Sequence, residues 1–147
     1  MGKTIAWAGF VAAALLVSHV ARAKDPGEAI TVPASGLKWT SPKDAPGVLI
    51  APVQGDPLKG PSKFFIKLPP SLNVGLHHHT ADHTAVVLTG TMVFGIDGQE
   101  RTLPAGSYFS FSGKKPHTTR CADPAGCTLF LDCHGKWDVI EDTSAKK

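Results

Sequence analysis

The feature that most restricts the fold of this chain is the spacing of its turn-forming residues. Glycine occurs 15 times and proline 12 times in 147 residues. Between them lie short apolar or alternating runs, without long helical periodicity, and this pattern is typical of an all-β sandwich or barrel. We therefore predict an all-β, single-domain protein with strands near residues 37–40, 47–53, 63–68, 73–79, 83–88, 91–96, 100–103, 106–111, 116–122, 127–133 and 137–140.

The clearest hairpin in the sequence runs from Thr91 to Leu103. Its centre is Asp97-Gly98, a two-residue sequence that strongly favours a tight turn between antiparallel strands. Pro104-Ala105-Gly106 and the segment 123–126 predict two further tight turns. The second of these would join a strand near residue 117 to another that begins near residue 127.

Residues 1–23 have the pattern of a secretory signal peptide. Lys3 gives a positive start, residues 5–20 are almost continuously apolar, and Ala21-Arg22-Ala23 offers small residues at both key positions of a signal-peptidase site. We expect cleavage after Ala23 and a secreted or periplasmic mature protein. An uncleaved N-terminal anchor is the alternative, although the apolar run is short for a membrane span.

The mature chain is expected to be one domain with little net charge. We predict an N-terminal arm over residues 24–36, a barrel over residues 37–140 and a flexible tail over residues 141–147. Removal of Lys3 and Arg22 lowers the 15 basic residues to 13, against 12 acidic residues. A nucleic-acid partner would require a clustered basic face, so we expect none. We expect no membrane contact after the signal peptide is cleaved.

Four histidines crowd into residues 77–83, and this cluster is the main functional signal in the sequence. Successive residues of a strand point to opposite faces, so His77 and His79 would project together while His78 faces away. A short turn would then place His83 on the next strand, beside the first two. This arrangement brings several imidazoles to one face of the predicted barrel.

A divalent metal ion is the partner that such a set of imidazoles favours. Neutral imidazole is the commonest metal-binding side chain and suits zinc, copper, iron and nickel. His117 begins a later strand and could close the set. The predicted metal ligands are therefore His77, His79, His83 and His117. A solvated or adventitious histidine patch is the alternative, and His78 and His134 fit that description best.

These residues resemble the two sequence motifs of the cupin family. Residues 75–90 are similar to the first motif, in which two histidines separated by one residue precede an acid and then a glycine, but His83 replaces the acid. Residues 98–117 resemble the second motif, with a longer spacing before His117. The resemblance covers about residues 37–140. It implies a jelly-roll-like β-barrel with one metal ion inside its open end.

The resemblance also implies a function. The family ligands correspond to the same four histidines, and similar small cupins are associated with Mn, Fe, Zn or Ni. An all-histidine set leaves the positive charge of the metal uncompensated, which favours anionic ligands. A redox metal would suit a dioxygenase or related oxidoreductase that acts on a small organic substrate, and another metal would suit an isomerase. A non-catalytic cupin that binds or senses a small ligand or a metal is the alternative.

Strand parity predicts which side chains share the pocket with the metal. Residues two and four positions after His83, and two and four positions after His117, should face inward with them. The predicted pocket-lining residues are Ala85, Val87, Thr119 and Cys121. This lining is mostly apolar, which suits a small organic molecule. A homodimer is the expected assembly, because closed two-fold dimers are the commonest oligomers.

The three cysteines of the chain allow one intramolecular disulfide. Export would place them in an oxidising compartment, where Cys121 and Cys127 could pair across the turn at residues 123–126. A free Cys121 thiol that faces the metal cavity is the alternative. An odd number of cysteines leaves at least one thiol free or paired between chains.

Overall fold

The computed structural model describes residues 29–142, and its strands all lie in the compact unit that begins at Val32. The predicted signal peptide and residues 143–147 of the predicted tail lie outside the described residues. The strands are β1 (Leu49–Gly55), β2 (Ser62–Leu68), β3 (Asn73–His78), β4 (His83–Thr89), β5 (Thr91–Ile96), β6 (Gln99–Pro104), β7 (Tyr108–Phe111), β8 (His117–Cys121), β9 (Cys127–Cys133) and β10 (Ile140–Glu141).

The strands form two antiparallel five-stranded sheets. One sheet has the order β1-β2-β9-β4-β7, and the other has the order β10-β3-β8-β5-β6. Every second residue of β2 and β9 is buried, as is every second residue of β4 as far as Val87, as expected for strands with one face on a shared core. The apolar core includes Phe64, Val87, Met92, Phe94, Leu129 and Leu131. The predicted all-β fold class is confirmed.

The predicted central hairpin is present. Strands β5 and β6 pair from Thr91↔Pro104 to Ile96↔Gln99. Asp97 and Gly98 join them, with φ values of 51° and 76°. Positive φ at both central positions gives the turn whose twist matches that of the flanking strands. The local sequence therefore determined this hairpin, and its turn residues adopt the predicted conformation.

Two predicted strands differ from the structure, and both differences have a physical reason. The segment 37–40 contributes only one bridge, Thr40↔Ile50, because the next hydrogen-bonded position on β1 in that register is Pro52, which has no N–H to continue the ladder. The segment 137–140 is reduced to its last residue, since Trp137 donates its N–H to the Pro57 carbonyl instead of to a sheet. The remaining predicted strands are present, with shifted ends.

The predicted tail begins too early. Glu141 belongs to β10 and pairs with His77 of β3, and Asp142 donates its N–H to the Leu76 carbonyl at 2.9 Å. Backbone pairing therefore holds residues 141 and 142 in the sheet. Among residues 29–142, no helix is long and apolar enough to cross a membrane. A short 3-10 turn spans Ala34–Gly36 in the predicted N-terminal arm.

A disulfide joins Cys121, the last residue of β8, to Cys127, the first residue of β9. Both side chains are buried, and Cys133 is a buried free thiol. Because β8 and β9 belong to different sheets, the bond connects the two layers of the barrel. It lies at the opposite end of β8 from His117.

We expect the double substitution of Cys121 and Cys127 by alanine to lower the free energy of unfolding by about 2 kcal/mol, because the bond closes a short loop in the unfolded chain. Urea unfolding measures the effect. Reductant should destabilise the wild-type protein to a similar extent and leave the double variant unchanged, and Cys133→Ala controls for the loss of a buried thiol. A wild-type protein that is insensitive to reductant would contradict the prediction.

Candidate metal centre

Three strand ends bring the histidines of the motif to one end of the barrel. His77 lies near the end of β3 and pairs directly with His117, the first residue of β8. His79 follows β3, and His83 begins β4. All four side chains are buried, with exposed fractions of 2–5%. Polar groups this deeply buried require hydrogen-bond partners, and those partners indicate which ring nitrogen carries the proton.

His77, His79 and His117 form a converging group, here called the histidine cluster. One ring nitrogen of each lies within 4.8 Å of those of the other two. The ring centroids are 4.3 Å apart for His77 and His117, and 5.2 Å apart for His77 and His79. His83 lies outside this nitrogen group, but its ring centroid is 4.7 Å from that of His79. The structure thus brings three predicted ligands together and places the fourth beside them.

Backbone carbonyls fix the orientation of each imidazole in the cluster. Nδ1 of His77 lies 2.8 Å from the Gly75 carbonyl, and Nδ1 of His117 lies 2.9 Å from the Lys115 carbonyl. Nδ1 of His79 bonds to the Asp138 carbonyl. A carbonyl can only accept, so Nδ1 carries the proton and Nε2 keeps a free lone pair. This is the arrangement of metal-binding histidines, and the donor set fits a transition metal.

Burial keeps these imidazoles neutral. It lowers the pKa of His79 to about 3 and that of His117 to about 4, while the carbonyl hydrogen bonds oppose the shift only in part. Burial likewise lowers the pKa of His77 and His83. A neutral imidazole is the form that binds a metal. At neutral pH, all four side chains are therefore ready to bind without losing a proton.

Hydrogen bonds hold the turn between His79 and His83 from two sides. Asp82 accepts the Gly113 N–H on its carboxylate at 2.6 Å and the His134 N–H on its carbonyl at 3.0 Å. The His79 carbonyl accepts the Lys114 N–H at 2.7 Å. The turn that spaces the two histidines is thereby fixed to the segments before β8 and after β9.

Two glycines allow this close approach. A Cβ on Gly113 would lie 2.4 Å from the Thr80 carbonyl oxygen, and a Cβ on Gly135 would lie 2.9 Å from the Ala81 Cβ. Both distances are shorter than van der Waals contact. Any larger residue at either position would push the turn away and disturb the spacing of the histidines.

Residues 135–142, here called the C-terminal strap, cross the barrel end beside the histidine cluster. Trp137 stacks on His79 with a centroid distance of 4.2 Å and an angle of 22° between the rings. Its edge also meets His83 at 5.1 Å and Phe64 at 5.6 Å. Sequence analysis did not identify Trp137, because no motif links it to the histidines.

Asp138 is a second residue that sequence analysis missed. Its carbonyl accepts the Nδ1–H of His79, and its carboxylate accepts both the N–H and the hydroxyl of Thr80 at 2.8 Å. Further along the strap, Asp142 bonds to Nδ1 of His78 at 3.0 Å. His78 therefore faces away from the cluster, as the strand alternation indicated.

Aromatic side chains line the inside of the barrel around the cluster. Phe111 stacks on His117 with a centroid distance of 4.1 Å and an angle of 7°, and Phe94 and Phe109 pack against Phe111. Of the predicted pocket-lining residues, Ala85 and Val87 are buried beside β9, and Thr119 is half-buried. Cys121 is buried in the disulfide, so its thiol is not free.

A cavity of about 340 Å³ lies near the same end of the barrel. It opens beside Cys133, which pairs with His83 across the sheet, rather than at the histidine cluster itself. Ser62 lines this cavity, and its buried hydroxyl has no hydrogen-bond partner among residues 29–142. Trp137 packs between the cluster and Phe64, the inward neighbour of Ser62 on β2.

Comparisons with known proteins agree with this architecture. Residues 64–132 match the family model of the cupin domain, Cupin_2, and this segment contains all four predicted ligands. The search of curated proteins found no match. Trp137 and Asp138 lie outside the matched segment, so the contacts of the C-terminal strap belong to a part of the chain that the family model does not cover.

Several solved structures share the fold. KdgF from a Halomonas species is 18% identical, with a TM-score of 0.57 over 70% of this chain and 91% of that one. A predicted oxalate decarboxylase from Thermotoga maritima is 22% identical, with a TM-score of 0.58 over 71% and 98%. The polyketide cyclase RemF from Streptomyces resistomycificus is 15% identical, with a TM-score of 0.63 over 79% and 87%. With the matched segment, these likenesses identify the fold of this chain as the jelly-roll β-barrel of a small cupin.

Proposed function

We propose that this chain is an exported, metal-dependent oxidoreductase, such as a dioxygenase, that acts on a small organic substrate. One observation supports metal binding above all others. The buried imidazoles of His77, His79 and His117 each direct Nδ1 to a backbone carbonyl, which leaves the Nε2 lone pairs of three closely grouped rings free for an ion. Such a set of lone pairs, buried together, would be unfavourable unless something bound to them.

The ion is assigned to the histidine cluster, with His83 as the fourth ligand. The Nδ1 atom of His83 also faces a carbonyl, that of Ala81 at 3.4 Å, so its Nε2 is available in the same way. Among the described residues, no carboxylate joins the convergent nitrogens. A bound redox metal would supply oxygen chemistry, and a non-redox metal would supply Lewis acidity. The neutral ligand set retains the full charge of the ion, which favours a substrate that binds as an anion.

The walls of the site suggest the kind of substrate. Phe111 and Trp137 flank two of the ligands, and they would exclude water from one side of a bound molecule while favouring a flat, apolar body. A small enolate or diketone combines an anionic oxygen pair with such a body. Two of the similar structures carry the names of enzymes, polyketide cyclase and predicted oxalate decarboxylase, and these names support catalysis on this fold.

Two features support export. Residues 1–23 have the composition of a secretory signal, and the barrel contains a buried disulfide between Cys121 and Cys127. Disulfides form and persist mainly in oxidising compartments outside the cytosol. A mature protein in the periplasm or outside the cell is therefore part of the proposal.

We expect the cobalt-loaded mature protein to change its visible absorption when azide or acetylacetone is added, because an oxidoreductase site keeps an exchangeable position on its metal. The iron-loaded protein should then consume oxygen in the presence of a suitable diketone. Visible spectroscopy and an oxygen electrode measure the two effects, and the metal-free protein is the control for both.

The outcomes separate the candidate functions. A spectral change with oxygen consumption supports the oxidoreductase. A spectral change without turnover of any diketone supports the non-catalytic alternative, a cupin that binds or senses a ligand. The stacking of Trp137 over His79 is the observation that favours this alternative. An unchanged spectrum would show a closed metal site and would exclude metal-centred catalysis.

A further inference from the structure

The C-terminal strap reaches one histidine of the cluster by two routes. The Trp137 ring stacks on the His79 ring, and the next residue, Asp138, accepts the Nδ1–H of the same imidazole on its carbonyl. The first contact fixes the plane of the ring, and the second fixes its rotation about the side-chain axis. The two contacts come from consecutive residues of one segment, so the strap acts on the plane and on the rotation of the same ring.

The same strap also holds the turn that follows His79. The Asp138 carboxylate accepts the N–H and the hydroxyl of Thr80, and Gly135 lies so close to Ala81 that a side chain would not fit. A strap that left the barrel would therefore release the His79 ring and the turn together. The carbonyl partners of His77 and His117, by contrast, lie only two residues away in the chain. The ring that stacks on His117 is that of Phe111, which belongs to β7 and not to the strap.

The strap is held mainly by hydrogen bonds and has few buried apolar contacts. Val139 and Ile140 are 52% and 40% exposed, and β10 pairs with β3 over just two residues. Trp137 supplies the main apolar contact, since its side chain is partly buried against the core. Segments with few buried contacts open at a lower free energy than the core does. The strap can therefore be docked or released, and a bound ion can shift the population from the released state to the docked state.

From these contacts we infer that Trp137 is a positioning residue for the metal site, and that docking of the C-terminal strap and metal binding strengthen each other. The inference rests on the proposed metal site. A docked strap presents His79 already oriented, so less ordering remains when the ion binds. The two effects are thermodynamically linked. The factor by which docking of the strap raises the affinity for the ion equals the factor by which the bound ion favours the docked strap.

Trypsin can test, in the wild-type protein, whether a bound ion stabilises the docked strap. Lys136 is exposed and immediately precedes Trp137, so cleavage after it requires release of the strap. We expect one equivalent of zinc to slow cleavage after Lys136 by at least about tenfold, in line with the effect of outer-shell residues on metal affinity. Cleavage after Lys43, in an exposed loop remote in sequence from the strap, is the internal control and should change little.

Substitution of Trp137 tests whether docking of the strap raises the affinity for the ion. Trp137→Ala should weaken zinc binding about 10–100-fold, and Trp137→Phe should restore most of the affinity because it keeps a ring against His79. Val139→Ala, at an exposed position of the same strap, is the matched control and should bind zinc as the wild type does. Competition with a chromophoric chelator measures the affinities, and none of these measurements depends on catalysis.

The possible failures are distinguishable. A wild-type protein that binds no zinc would overturn the proposed metal site and the inference together. A wild-type protein that binds zinc, with cleavage after Lys136 unaffected by the ion, would overturn the inference alone. The same conclusion follows if Trp137→Ala binds zinc as tightly as the wild type. If Trp137→Ala does not fold, the protease assay on the wild-type protein still decides the question.

Discussion

Replacing His79 or His117 by alanine should remove the metal from the purified mature protein. Each substitution deletes one of three convergent ring nitrogens and leaves only two of them, too few to hold an ion tightly. Outer-shell substitutions alone lower metal affinity by about 10–100-fold, so loss of a ligand should exceed about 100-fold. The measurement is elemental analysis of exported, tag-free protein, with one equivalent expected in the wild type.

Neighbouring histidines provide matched controls for this experiment. His78→Ala alters the next residue in the chain, but its ring bonds to Asp142 and faces away from the cluster. His134→Ala removes an exposed ring. Both variants should retain the metal, whereas His83→Ala should weaken it less than the cluster substitutions do. Metal that persists in His79→Ala, or that disappears equally from His78→Ala, would show that the ion binds elsewhere.

The strand pattern could be predicted because each strand carries its own signal. Residues 127–133 alternate between buried and half-buried positions along the whole of β9, and glycine or proline lies at the turns between strands. The hairpin at Asp97-Gly98 depends on two residues alone. Features that a short segment determines by itself can be read from that segment.

The residues of β2 that face the core could not be predicted from alternation within the strand. Its sequence has phenylalanine at both 64 and 65, so alternation does not decide which ring faces the core. The register with β9 decides it: Phe64 lies opposite Leu131, and Phe65 lies opposite Phe130 on the outer face. A partner strand that begins almost 60 residues later supplies information that the local sequence does not contain.

The same limit applies to the candidate site. His77, His79 and His83 were predicted together because strand alternation and one short turn place them, and all lie within seven residues. Trp137 and Asp138 contact the His79 imidazole from 58 and 59 residues away, through a strap whose path depends on the completed barrel. The candidate ligands can therefore be identified in the sequence, whereas the residues that contact them from the strap can be identified only in the structure.

Mild acid should destabilise the metal-free protein, because its buried histidines resist protonation. Burial lowers the pKa of His79 to about 3 and that of His117 to about 4, whereas both return to ordinary values when the chain unfolds. Well above pH 6.5, these side chains are neutral in both states and have no effect. As the pH falls below 6.5, the unfolded chain gains protons that the folded protein does not, so unfolding becomes more favourable.

Between pH 6.5 and pH 5, the two histidines together should lower the free energy of unfolding by about 3 kcal/mol. This window lies above the range in which carboxylates titrate, so the histidines account for most of the change. Urea unfolding in the presence of a chelator measures it. A variant with both His79 and His117 replaced by glutamine should show a much flatter profile, and His134→Gln should match the wild type. A flat wild-type profile, or a double variant as steep as the wild type, would show that burial of these rings does not govern the acid response.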